Sequence, residues 1–111
     1  MSSNRAKIFE LLFDKNNNVA YKALQELIKE SEETDCVYPY MDRLSDMLDN
    51  DNSYIRTRGL TLLAYNAKYK PELKDDILSA LHKADISGYD NSMQPLVYKD
   101  IQKALKEIQK L

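Results

Sequence analysis

Arg56 and Arg58, in the stretch DNDNSYIRTRG (residues 49–59), are the side chains best placed to do chemistry, since a guanidinium fork pairs with carboxylates or anionic ligands. Carboxylates are close by in sequence: Asp49 and Asp51 in the same stretch, and Asp14 in the preceding turn. At about 100° per residue from Ile55, Arg56 falls about 100° round, inside the apolar arc of Gly59, Leu63 and Ala67. A cation there must pair, because an unpaired buried charge is very costly. Arg56 is therefore expected to clamp adjacent turns by pairing with Asp14, Asp49 or Asp51. Arg58 falls about 300° round, at the margin beside Tyr65, where it can stack on a ring or reach an acidic partner.

Other chemistry finds little support. His82 and Cys36 are the single histidine and cysteine. Neither has the oriented neighbours that nucleophilic catalysis needs or the mates that a metal ion needs. The stretch 49–60 misses the calcium-loop pattern, with Tyr54 at the turn glycine and Leu60 at the closing glutamate. No glycine-rich phosphate loop is present, and Asp75-Asp76 reads as a solvated helix face. The expectation is a chain with no catalytic, metal or cofactor site. A net charge of -2 and a pI near 5.4 disfavour nucleic acid. One cysteine allows no intrachain disulfide, which points to a reducing compartment, the cytoplasm. No export signal and no membrane span is expected.

These residues need helices to hold them. Two glycines and three prolines among 111 residues leave little turn chemistry, and helix formers dominate, so the chain is read as a single all-α domain. Apolar spacing predicts six helices: about 4–13, 18–32, 37–48, 53–68, 71–84, and a last one capped by Ser92 and ending near Leu111. Either Asn52 or Ser53 caps the fourth. They group as pairs 4–32, 37–68 and 71–111. Residues 11–27 lie over 47–63 without gaps, so that Val19, Ala23, Leu24 and Leu27 match Ile55, Gly59, Leu60 and Leu63. The repeat is thirty-six positions, and Val97 continues the register forty-two positions after Ile55, the excess being taken up by DISGYDN (85–91).

An Asp-rich turn followed by a hydrophobic residue and arginine, Ile55-Arg56 after DNDNS, resembles the HEAT-type repeat. The segments YPYMDRLSDML, SYIRTRG and YDNSMQPLVYKDI are similar to those of small bacterial HEAT-like proteins, loosely labelled SufBD-like. The arginine position is Ala20 or Tyr98 in the other two pairs, and the label is not taken to imply iron–sulfur assembly. The resemblance implies a short right-handed α-solenoid of about three antiparallel helix pairs. It also implies that one pair of the longer relatives is missing at Tyr69-Lys70-Pro71.

Repeat stacks expose one row of helices as an extended face, which suits binding better than catalysis. Tyrosine, with eight copies against two phenylalanines, adds contact surface near helix ends. The expected function is a non-catalytic adaptor for another protein or peptide, with Tyr54, Arg58, Tyr65 and Tyr69 as contacts, and Arg56 and Asp51 beneath them. Two alternatives stand beside it: a nucleic-acid-binding or DNA-alkylation-repair-like HEAT module, and a structural unit that self-associates weakly. Lys99, Lys103, Lys106 and Lys110 on the last helix read as a solvated face.

Overall fold

Asparagine caps build two of the helix starts. The structure, a computed structural model, describes residues 2–84 and 88–111. Its helices are α1 (Ser2–Leu11), α2 (Asn17–Ser31), α3 (Met41–Leu48), α4 (Ser53–Asn66), α5 (Lys74–His82) and α6 (Gln94–Gln109), and there is no strand among the described residues. Before α2, Asp14 Oδ1 accepts from the Asn16 amide at 2.8 Å, and Asn16 Oδ1 accepts from the Asn18 and Val19 amides at 3.0 and 3.3 Å. Before α4, Asn50 Oδ1 accepts from the Asn52 amide at 2.9 Å, and Asn52 Oδ1 from the Tyr54 amide at 2.8 Å. The same turn is thus made twice, thirty-six positions apart, and it satisfies amides that a helix start leaves free.

Several expected helices begin later or end sooner. Pro39 and Pro71 each sit in a short 3-10 turn, Tyr38–Tyr40 and Pro71–Leu73, ahead of α3 and α5. α4 stops at Asn66 and passes into a 3-10 turn, Ala67–Tyr69, and Lys70 is held at φ -143°, ψ 72°, away from the helical region, by the proline that follows it. Ser92 is not the cap of α6; the Asp90 carbonyl accepts from the Met93 and Gln94 amides instead. The first part of the long connection, 85–87, lies outside the described residues.

The helices pack as α1 on α2, α3 on α4 and α5 on α6, with α4 also touching α2, α5 and α6. One apolar cluster runs from Phe9 and Leu12 through Leu44, Met47 and Leu62 to Ile101 and Ile108. Gly59 lets α3 approach α4, since a Cβ there would come 3.2 Å from Met47 Cβ and 3.3 Å from Leu48 Cδ2. The Cα radius of gyration, 13.0 Å, is that of a globule of this length, about 13 Å.

Because α4 is covered on several sides, its two arginines sit otherwise than a single buried face implies. Arg58 is the buried one, 7% exposed. Its Nη1 donates to the Leu12 carbonyl and its Nη2 to Asn17 Oδ1, both at 2.9 Å. It thereby satisfies a carbonyl just past the end of α1 and ties α4 to the turn before α2. Arg56 is only half-buried and stays local, donating to the Asn50 carbonyl at 2.6 Å and Ser53 Oγ at 3.0 Å. Among the described residues no ion pair joins it to Asp14, Asp49 or Asp51, all three of which are exposed. The bidentate clamp between elements is Arg43, whose Nε and Nη2 donate to Glu10 at 2.6 and 2.8 Å while its guanidinium lies 4.0 Å from the centre of the Phe13 ring.

Candidate functional site

One face of α4 carries Tyr54, Thr57, Arg58 and Thr61, spaced by three, four and seven residues as one helical stripe. A groove of about 390 Å³ lies over this stripe, with α2 contributing one wall, α6 the other, and the turn around Tyr89 closing one end. That volume is within the range of about 300–1,000 Å³ found for ligand sites.

Local chemistry fixes the closed end. Gly88 runs so close to the start of α4 that a Cβ would meet Ser53 Oγ at 2.5 Å. This approach delivers Tyr89, whose hydroxyl donates to the Ser53 carbonyl at 2.9 Å and whose ring lies against Tyr54 with centroids 4.0 Å apart. Gln94 Nε2 holds the Tyr89 carbonyl at 3.0 Å. Burial pushes the Tyr89 phenol above its ordinary value, so it remains a neutral donor.

The rim combines apolar and cationic groups. Tyr21 and Leu96 line it and are 48% and 56% exposed. Lys99 and Lys103 stand on the α6 wall, both exposed, with Asp100 half-buried between them. Burial raises the Asp100 carboxyl, and Lys103 and Lys99 pull it back only in part. On the floor, burial lowers the Arg58 guanidinium, while Tyr89, Asp14 and Tyr54 act in the opposite sense. An arginine does not lose its proton on such grounds, so the floor of the groove is cationic.

Of the four contact residues expected from sequence, Tyr54 and Arg58 line this groove. Tyr65, half-buried, continues the same stripe beyond Thr61 toward Glu107 and Asp100, and its phenol is raised by burial first and then by those two carboxylates. Tyr69 is elsewhere: its hydroxyl donates to the Ser31 carbonyl at 2.7 Å, tying the end of α4 to the end of α2. Of the acids expected to clamp Arg56, Asp14 is near enough to Arg58 to act on its charge and accepts a backbone amide, whereas Asp49 and Asp51 face solvent. Sequence reasoning missed Tyr21, Leu96 and the placement of Lys99 and Lys103. The lysine row splits, since Lys110 pairs with Glu107 at 2.9 Å. The four-residue spacing of Lys99 and Lys103 was the available signal, but which helix wall they join depends on tertiary packing.

No protein family, no curated protein and no solved structure matches the chain. No helix among the described residues is long and apolar enough to cross a membrane.

Proposed function

We propose that this chain is a non-catalytic interaction module of HEAT type, three helix pairs stacked as a short right-handed solenoid, which docks a partner protein or peptide in the groove over α4. The observation that carries the reading is the groove itself, about 390 Å³ in volume, with Tyr21 and Leu96 left half exposed at its rim. Apolar side chains exposed together beside a concavity are what interaction surfaces supply. The repeat reading is supported by the capping turn made twice at a spacing of thirty-six residues and by the packing of α4 against both α2 and α6. A cytoplasmic setting is consistent with Cys36, a free and buried thiol.

A photo-crosslinking residue at position 96 tests this in the cells that make the protein. Leu96→p-benzoylphenylalanine should trap a discrete partner, and the same residue in place of Ser45, exposed on α3, should not. Adducts formed equally from both positions, or from neither, would contradict docking at this face. An adduct of two identical chains would instead favour self-association.

A further inference from the structure

The charge of the groove differs in sign from that of the chain, and that difference selects a ligand. Three cations, Arg58, Lys99 and Lys103, face one carboxylate, Asp100, in the lining, whereas the whole chain carries -2. Concave walls of low polarity concentrate such a field, so an anionic group is attracted here while the rest of the surface repels it. Apolar contact is offered at the same place by Tyr21 and Leu96, both well exposed.

We propose that the occupant is an acidic peptide segment of a partner protein, in which one or two carboxylates alternate with bulky apolar side chains. This rests on the groove being the docking site. The carboxylates face Lys99 and Lys103 on the α6 wall, with Arg58 supplying positive potential from the floor. Its two observed bonds go to a carbonyl and an amide oxygen, so no carboxylate in the hydrogen-bond set of Arg58 cancels its charge. The apolar side chains fill the space between Tyr21 and Leu96. A nucleic-acid strand is the poorer fit, because it calls for a continuous cationic track. Here a carboxylate stands between the two lysines, and the rest of the exposed lining, Asn17, Asn18, Tyr21 and Leu96, carries no charge.

Panning a phage-displayed library of random short peptides against the folded full chain tests the proposal, with Lys99→Glu/Lys103→Glu and Leu96→Asp as parallel baits and circular dichroism as the check on folding. All three altered residues are exposed, so these variants retain the core. The expected result is enrichment of peptides rich in Asp or Glu and in Leu, Ile or Phe. These should bind the lysine variant at least about fivefold more weakly and lose affinity as salt is raised. Enriched peptides that are neutral or basic, lost on Leu96→Asp but retained on the lysine variant, would overturn the acidic class and leave the groove as a docking site. No peptide sensitive to either variant would overturn both. A fluorescent single-stranded oligonucleotide that displaces the enriched peptide and binds more tightly would overturn the peptide in favour of nucleic acid.

Discussion

Arg58 is a cation held by a backbone carbonyl and an amide, and its removal exposes what that arrangement contributes. In Arg58→Ala the Leu12 carbonyl and Asn17 Oδ1 each lose a charged donor, while the cost of burying the cation also disappears. The expected net loss is about 2 kcal/mol, measured by urea denaturation. A change below about 0.5 kcal/mol, typical of a surface site, would contradict the buried placement. Asp100 has the opposite sign. Folding raises its pKa, so the folded chain holds this proton more tightly than the unfolded one, and its contribution to stability falls as pH rises from the ordinary carboxylate value through the raised folded one. Asp100→Asn should therefore be stabilised relative to wild type by an amount that grows from acid to neutral pH, and should bind acidic peptides more tightly. A stability difference that shrinks as pH rises would contradict the burial of this carboxyl.

Helices were legible where capping chemistry is local and less so where a neighbour decides. A cap at Asn52 or Ser53, of which Asn52 makes the bond, the thirty-six-residue spacing and the inward row of α4 all follow from short-range pattern. The exchange of roles between Arg56 and Arg58 does not, because a helical wheel assumes one covered face and α4 touches helices on several sides. Asn66 was equally hidden: its Oδ1 accepts from the Cys36 amide at 2.9 Å and its Nδ2 donates to Ser31 Oγ and the Leu62 carbonyl at 2.9 and 2.8 Å. No spacing in the chain announces a bond between residues thirty positions apart. Gly59, by contrast, lies in the apolar arc where the helical wheel puts it, and α3 comes close to it there. Alanine there should gain about 1 kcal/mol of helix propensity but lose about 1–3 kcal/mol to overpacking, because Met47 Cβ is fixed to the α3 backbone and cannot swing aside. A net destabilisation of about 1 kcal/mol is expected for Gly59→Ala in thermal or urea unfolding. A more stable variant would mean that α3 yields.

Across the whole molecule, one apolar cluster joins all the helix pairs, so opening should be cooperative. Cys36 reports on this directly. Its side chain is buried, and burial, more than any neighbour, raises its thiol pKa, so the reactive thiolate is suppressed in the folded state. Labelling with a disulfide reagent should be much slower in the native chain than in urea and should follow global unfolding. Rapid native labelling would show that the segment around Cys36 opens alone. The groove is likewise a property of the whole, since its floor, two walls and end come from separate parts of the chain.

The most direct test that an acidic, apolar peptide docks over α4 is an amide NMR titration of the labelled chain with a short peptide of glutamate and leucine residues. Shifts should concentrate on Tyr54, Thr57, Thr61, Leu96 and Lys103, and weaken as salt is added. Shifts concentrated instead around Arg56 and Lys83, or none at millimolar peptide, would contradict it.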